Sequence, residues 1–141
     1  MSTPANKTDA TNANRDTVLQ FMHLVDSQEF DSLGDVLAPD LQFHLGGATL
    51  DRKQIEDTIR MFYAAFPDLS HKVEDVFEVG EKVVLRATDT ATHRGEFQGI
   101  APTGRRVSIG QIAIYRVIDG KIAEVWEEAD FMGLMQQLES E

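Results

Sequence analysis

The chain has 141 residues, of which 13 are Lys or Arg and 24 are Asp or Glu, so its formal net charge at pH 7 is −11. This length suits one ordinary domain with a sizeable core, and the negative charge argues against binding to nucleic acid or to an anionic membrane surface. The absence of Cys excludes disulfides, thiolate nucleophiles and Cys-ligated metals. No apolar run resembles a signal peptide or a membrane span, so we expect a cytoplasmic protein.

The N-terminal region contains little to bury. Residues 1–13 are rich in Ser, Thr, Asn, Ala and Pro, which predicts a flexible leader before a single domain at residues 14–141. An amphipathic helix is predicted next, ending near Gln28, because apolar residues recur at helical spacing. Its apolar stripe consists of Val18, Phe21, Met22 and Val25.

The next segment combines short helical and strand patterns. A second helix is predicted over Phe30–Leu37, because Pro39 then stops it. Residues 41–45 alternate between apolar and polar side chains before two Gly residues, which is typical of a short strand and turn. A third helix is predicted over Asp51–Phe66, where a Pro again follows.

Strand patterns dominate after Pro67. Two hairpins are predicted, the first from His71–Val79 and Val83–His93, the second from Val107–Val117 and Lys121–Trp126. The second hairpin turns at Asp-Gly, a strong hairpin signal. Helices first and hairpins afterwards predict an α+β domain, in which a strongly curved, mostly antiparallel sheet wraps around N-terminal helices.

Several motifs occur in a recognisable order along this chain. They are Phe66-Pro67-Asp68, the Gly- and Pro-containing run from His93 to Arg105, Arg116 with Asp119 to Ile122, Glu124-x-Trp126, and Asp130 to Leu138. Together they resemble the SnoaL-like polyketide cyclase family over nearly all of the chain after the leader. The resemblance implies a cone-shaped fold similar to nuclear transport factor 2 and ketosteroid isomerase. It also implies a deep apolar cavity and homodimers formed through the outer face of the sheet.

The resemblance points to Glu127 as a catalytic residue. In the family's cyclases, an acidic residue directly after the Trp of the last strand acts as general acid/base in an aldol ring closure. Glu127 matches that position, and strand alternation places it on one face with Ala123 and Val125. Apolar surroundings would raise its pKa toward the range useful for proton transfer. The alternative is a solvated charge at a strand end.

The penultimate strand matches the family only in part. The cyclases carry Gln-x-His there, and in this chain Gln111 matches the Gln whereas Ala113 replaces the His. Gln111 could donate a hydrogen bond to an enolate oxygen or be satisfied by a neighbouring strand. Tyr115, on the same face, is a candidate for the phenol of an isomerase-type oxyanion hole.

Other residues are candidates for the cavity wall. Asp130 precedes a predicted helix, so it could cap that helix or bind a ligand. His44 is the His best placed for the cavity, although it could equally be an ordinary hydrogen-bonded residue. Phe21 and Phe62 would line the interior of the cone. The four His residues show no metal-ligand spacing, so we expect no metal site, and we expect His93 to order the Gly95–Gly104 crossover.

Two hypotheses of function follow. The first is a small dimeric enzyme in which Glu127 exchanges a proton with an apolar carbonyl or polyketide-like compound, while Gln111 holds the oxyanion. Aldol cyclisation, isomerisation or related chemistry, including hydroxylation, would fit, and the mechanism would need no cofactor. The second is a non-catalytic module that binds a small ligand in the same cone, since Ala113 removes the imidazole of the cyclases.

Overall fold

A computed structural model describes residues 12–140. The predicted flexible leader, residues 1–13, lies outside the described residues except for its last two positions, where Asn12 precedes helix α1 and Ala13 begins it. No helix within the described part of the chain is long and apolar enough to cross a membrane.

The helices begin and end close to the predicted positions. They are α1 (Ala13–Asp26), a 3-10 helix (Phe30–Asp35), α2 (Arg52–Ala65) and α3 (Phe131–Glu139). Helix α2 starts with a capping box, in which the Asp51 side chain accepts from the Gln54 N–H and the Gln54 side chain accepts from the Asp51 N–H. This reciprocal pair satisfies two of the N–H groups that a helix end leaves without partners.

The strands form one sheet on which the helices pack. They are β1 (Leu37–Leu45), β2 (Ala48–Leu50), β3 (Ser70–Val79), β4 (Lys82–Thr92), β5 (Arg106–Ile118) and β6 (Lys121–Ala129). Their order is β2-β1-β6-β5-β4-β3. All neighbours are antiparallel except β1 and β6, which are parallel. The predicted α+β class, with N-terminal helices and a mostly antiparallel sheet, is therefore confirmed.

The second predicted helix is shorter than expected. It ends at Asp35 as a 3-10 helix, and β1 begins at Leu37 and continues through Pro39. The residue before a Pro favours an extended backbone, and the Ile122 N–H donates to the Val36 carbonyl at 2.7 Å. Pro39 falls in the stretch where the register between β1 and β6 shifts, so its missing N–H interrupts no regular ladder.

The predicted turn between β5 and β6 has the expected geometry. Asp119 and Gly120 have φ values of 50° and 78°. Positive φ at both central residues is the requirement of a type I′ turn, whose twist matches that of the flanking strands. The turn pairs Ile118 with Lys121, and a register shift between Arg116 and Val117 then places Ala113 opposite Glu127.

The segment between β4 and β5 is held against the end of α2. His93 is fully buried, and its Nδ1 accepts from the Thr103 N–H at 3.2 Å. A Cβ on Gly95 would lie 2.6 Å from the Ala64 carbonyl oxygen, which requires Gly at that close approach. The buried His93 ring thus orders the loop between β4 and β5, as its position in the sequence suggested.

Two apolar clusters fill the space between the helices and the sheet. The larger contains residues of α1, β1 and the inner faces of β4 to β6. The smaller joins the end of α2 to α3 and the crossover, and it includes Phe66, Phe97 and Leu134. The clusters meet around a cavity, whose lining contains residues of both.

Candidate active site

The cavity between the helices and the sheet has an apolar wall. Its volume is about 110 Å³, and it is partly open to solvent. A closed cavity of roughly 150 Å³ accommodates benzene, so this smaller but partly open cavity has room for no more than about one ring of a larger molecule. The apolar side chains that line it include Phe21, Met22, Phe43, Ile59, Phe62 and Phe131.

Four adjacent strands each contribute one polar side chain to this wall. His71 lies on β3, Asp89 on β4, Gln111 on β5 and Glu127 on β6. His71 and Asp89 are directly opposite each other in the β3–β4 pairing. Because side chains alternate between the two faces of a strand, one inward position on each strand is enough to bring the four groups together.

Asp89 lies between an amide donor and an imidazole ring. Gln111 Nε2 donates to Asp89 Oδ2 at 2.7 Å, and His71 Nε2 lies 3.8 Å from Asp89 Oδ1. On the other side of the ring, His71 Nδ1 lies 2.7 Å from Asp26 Oδ1, which also accepts from the Tyr63 hydroxyl at 2.8 Å. The imidazole therefore lies between a carboxylate of helix α1 and a carboxylate of the cavity wall.

The surroundings of His71 favour its charged form. Burial alone would lower the pKa of His71, but the hydrogen bond to Asp26 and the charges of Asp89 and Asp26 raise it overall. Burial would raise the pKa of Asp26, but the bonds from His71 and Tyr63 lower it. Both shifts favour the pair of imidazolium and carboxylate over the neutral pair.

Glu127 has the opposite environment. Burial among apolar side chains and the charge of Asp89 raise the pKa of Glu127 to about 7, although His71 opposes the shift. Within residues 12–140 its carboxyl group makes no hydrogen bond that would favour the anion. Burial also raises the pKa of Asp89, where the His71 charge and the Gln111 hydrogen bond oppose the shift. Neutral and ionised forms of Glu127 therefore coexist near pH 7.

Of the residues singled out in the sequence, four lie in the cavity wall. They are Glu127, Gln111, Phe21 and Phe62. One N–H of the Gln111 amide is engaged by Asp89, while its Oε1 is buried and has no partner among the described residues. The second N–H of Nε2 remains for a ligand.

Tyr115 lies deeper, outside the cavity lining. It is fully buried, packs edge-on against Phe21 at 6.2 Å, and its hydroxyl has no partner within the described chain. Burial and the charges of Glu127 and Asp89 raise the pKa of Tyr115 well above its ordinary value. Its phenol is thus neutral, and it does not reach the cavity directly.

His44 and Asp130 also lie outside the cavity. Phe43 and Leu45 face the cavity, so strand alternation directs His44 to the outer face, where its Nε2 lies 2.7 Å from Glu124 Oε2 and its ring stacks on Trp126. The sequence favours His44 as a cavity residue, whereas the structure buries the apolar side chains of β1 and leaves His44 on the outer face. Asp130 accepts from the Gly133 N–H at 2.8 Å as the N-cap of α3, which is the first of its two predicted roles.

His71 and Asp89 are site residues that the sequence did not predict. The alternation of β4 does indicate that Asp89 is unusual. The remaining inward positions of this strand all carry apolar residues, namely Val83, Leu85, Ala87 and Ala91. A carboxylate in such a row needs a partner or a function. His71 had no comparable signal, since its partners Asp26 and Asp89 are 45 residues away and across a hairpin. No group of three potential metal ligands converges in residues 12–140.

Comparisons with known proteins agree with this architecture. Residues 16–138 match the family described as SnoaL-like polyketide cyclase. A 75-residue segment, 52% of this chain, is 35% identical to 52% of the aklanonic acid methyl ester cyclase DnrD of Streptomyces peucetius. Matched segments span about a third to a half of the curated relatives' own lengths.

Two solved structures resemble the whole domain. IdmH of Streptomyces antibioticus, described as a candidate polyketide cyclase, is 30% identical with a TM-score of 0.82, covering 89% of this chain and 97% of IdmH. AclR of Streptomyces galilaeus, described as a candidate hydroxylase, is 27% identical with a TM-score of 0.84, covering 91% of this chain and 96% of AclR. With most of its length matched in sequence and the same fold, this chain belongs to the SnoaL-like polyketide cyclase family.

Proposed function

We propose that this protein is an acid/base enzyme that acts on an apolar carbonyl compound, with Glu127 as the proton-transfer residue. The observation that carries the proposal is a carboxyl group in an apolar cavity with a pKa of about 7. A group with such a pKa can both donate and accept a proton near neutral pH, where general acid/base catalysis is most efficient. Nothing in the proposed step requires a cofactor.

The proposed substrate is a polyketide-like ketone or ester. The curated relative DnrD is named for a cyclase reaction on aklanonic acid methyl ester, and aldol ring closure needs one proton removed from carbon and one delivered to oxygen. The free N–H of Gln111 is available to hold the developing oxyanion, which supports ring closure or isomerisation. The cavity volume suggests that the reacting ring enters while the remainder extends toward solvent.

The decisive experiment compares Glu127→Gln with the wild type, using aklanonic acid methyl ester as test substrate. We expect turnover to fall by at least about 100-fold, since general acid/base catalysis contributes 10²–10⁴, while binding measured by fluorescence or calorimetry is retained. Glu128→Gln is the matched control, because Glu128 is the next residue on β6 and is exposed. Unchanged turnover in Glu127→Gln would reject the assignment.

A binding module without catalysis is the second candidate. The observation that favours it is Ala113, which lies directly opposite Glu127 in the β5–β6 pairing and offers no polar group where the resemblance implies a His. Tight binding of the test substrate by the wild type without conversion would support this candidate. Glu127→Gln should then change the affinity very little.

We also propose that a second copy of the chain covers the outer face of the sheet. Apolar side chains there form a continuous row across four strands, and Phe77 and Ile112 are 53% and 52% exposed. The row consists of Phe77, Val84, Ile114 and Trp126. Apolar patches of this kind mark interaction surfaces, and family resemblance favours a homodimer.

Sedimentation velocity tests the proposed dimer. Ile112→Glu places a charge within the face and should convert a dimer to a monomer. Met132→Glu is the matched control, because Met132 is an exposed apolar residue on α3, away from the sheet face. A wild-type protein that sediments as a monomer at all concentrations would reject the proposal.

A further inference from the structure

The Asp89 carboxyl group is incompletely satisfied. Its side chain lines the cavity and is buried, and Oδ2 accepts from Gln111 at 2.7 Å. Oδ1 has no hydrogen bond within the described residues, and His71 Nε2 lies 3.8 Å from it. A buried polar atom without a partner is costly in a structural residue, and here that atom belongs to a side chain in the wall of a ligand-sized space.

The groups that face Asp89 come from every element around it. They are His71 on β3, Gln111 on β5, Glu127 on β6 and, behind His71, Asp26 on α1 and Tyr63 on α2. Asp26 accepts from the ring and backbone N–H of His71 and from Tyr63. These bonds fix the ring so that Nδ1–H points to Asp26 and Nε2–H points toward Asp89.

The surroundings differ between the two cavity carboxyl groups. Asp89 has an amide donor on one oxygen and a cationic ring near the other, and both favour its anion. Glu127 lies opposite Ala113 and has no such donor among the described residues. Burial raises the pKa of both carboxyl groups and the His71 charge opposes the shift in both, but only Asp89 also has a hydrogen-bond donor that stabilises its anion. Asp89 is therefore the better suited of the two to act as base and Glu127 to act as acid.

We infer that Asp89 is a second catalytic residue, the base that removes the substrate proton, while neutral Glu127 acts as the acid. This inference deepens the proposed function and rests on it. His71 does not touch the substrate in this scheme. It is a positioning residue, whose charge favours the ionised form of Asp89 against the effect of burial, and its ring is fixed by Asp26.

The proposed ring-closing step balances in atoms and charge. Asp89 Oδ1 takes a proton from the carbon next to a substrate carbonyl, and the electron pair of that C–H bond is held as an enolate. The enolate carbon then uses this electron pair to form the new C–C bond to a ketone carbon. The electron pair of the ketone C=O bond moves to its oxygen, which takes the proton of Glu127. Asp89 is then neutral and Glu127 is charged, and water entering after product release returns the proton from Asp89 to Glu127.

The test separates proton removal from ring closure. In D2O with aklanonic acid methyl ester, NMR follows deuterium entry at the acidic carbon, and chromatography follows the cyclised product. We expect Asp89→Asn to lose both by at least about 100-fold. Glu127→Gln should retain exchange but lose ring closure. The Asp89→Asn amide oxygen can still accept from Gln111, so the packing is retained.

The outcomes distinguish this inference from the proposal on which it rests. Retained exchange and closure in Asp89→Asn would overturn the role of Asp89 and leave that of Glu127 intact. Retained closure in Glu127→Gln would reject the proposed function itself. Asp57→Asn is the matched control, because Asp57 lies on the exposed face of α2, where its partner is Lys53.

A titration tests the same division of roles without any substrate. Carboxyl ¹³C shifts of labelled Asp and Glu, assigned with the two variants, should show Asp89 ionised at a pH where Glu127 is still protonated. The reverse order would overturn the inference. His71→Gln should move the acid limb of the exchange profile to higher pH, whereas a purely structural His71 would lower the rate at every pH without moving that limb.

Discussion

Two His–carboxylate pairs lie on opposite faces of the same sheet, and both have a nitrogen–oxygen distance of 2.7 Å. On the outer face His44 Nε2 contacts Glu124, which also accepts from Arg116. On the inner face His71 Nδ1 contacts Asp26, and the side chain of His71 is only 10% exposed, against 31% for His44. The two pairs therefore have the same nitrogen–oxygen distance but differ in their exposure to solvent.

The two pairs differ in their effect on stability because water can solvate the charges of one pair and not those of the other. In a single subunit, water reaches the pair on the outer face, screens it and solvates either partner if the other is removed. On the inner face, a partner left alone would keep its charge in a poorly solvated place. The inner pair therefore has the larger influence on stability and on the charge of its neighbours, including Asp89 and Glu127.

Asp26→Asn should have the largest effect on stability. It removes the carboxylate that accepts from His71, and we expect the free energy of unfolding to fall by roughly 2–4 kcal/mol. This loss is smaller than for a fully buried pair because the Asp26 side chain is partly exposed. The pKa of His71 is raised, so this contribution is complete below the unfolded pKa near 6.5 and is lost as pH rises through the folded value. The pKa of Asp26 is lowered, so the contribution also fades in strong acid.

Urea unfolding at several pH values measures this effect. The Asp26→Asn deficit should be greatest in mildly acidic solution and smaller at pH 9. A deficit that is the same from pH 5 to pH 9 would contradict the pairing of charged His71 with Asp26. Asp31→Asn is a suitable control, because Asp31 is fully exposed and forms only a surface ion pair with Arg60.

Glu127→Gln should have an intermediate effect, with the opposite sign. The pKa of Glu127 is raised from 4.5 to about 7, so the folded state binds more protons than the unfolded state between those values. Stability from this group therefore falls as pH rises through that range. A pKa raised from 4.5 to about 7 corresponds to roughly 3 kcal/mol for a fully buried group. Because Glu127 is partly exposed, solvent screening reduces this cost, and we expect the uncharged Gln variant to gain about 2 kcal/mol relative to the wild type above pH 7.

The pH dependence of this gain is the sharper measurement. The stability difference between Glu127→Gln and the wild type should shrink as pH falls from 8 and disappear near pH 4.5. Thermal unfolding over this range would follow it. A variant that is less stable than the wild type at pH 8 would show that Glu127 is ionised without cost, as a solvated charge would be.

Glu124→Gln should have the smallest effect. The hydrogen bond from His44 and the contacts of Arg116 lower the pKa of Glu124, so its contribution is present above the unfolded pKa and is lost as pH falls. An exposed pair contributes at most about 1 kcal/mol, and 0.5 M salt should reduce it further. A loss as large as that of Asp26→Asn would erase the distinction between the two faces.

The sequence was most informative about elements with local signals. The Asp119-Gly120 turn, the cap at Asp130 and the apolar stripe of α1 each depend on residues a few positions apart. Short-range sterics and hydrogen bonds decide such features, so they can be predicted from a short window. The second predicted helix was extended too far because tertiary pairing with β6 drew Leu37 into a strand.

For the candidate site, the sequence predicted which residues share a face of one strand but not which residues of different elements meet. Alternation and family resemblance identified Glu127 and Gln111, both now found in the cavity wall. Alternation was ambiguous for His44, because it gives two faces without saying which is inside. In the sequence His71 is an isolated His, since its two carboxylate partners come from a helix and from the neighbouring strand.

The amino-acid sequence by itself determined the family, the α+β class and the position of Glu127 on its strand, because motifs and periodicity are properties of neighbouring residues. Only the tertiary structure decided which face of the sheet is enclosed and which charged groups meet there. That decision depends on burial, which sets the solvation of every charge and is shared among residues far apart in the chain. Asp89 and His71 become candidates for function only because the fold encloses them together in the cavity wall.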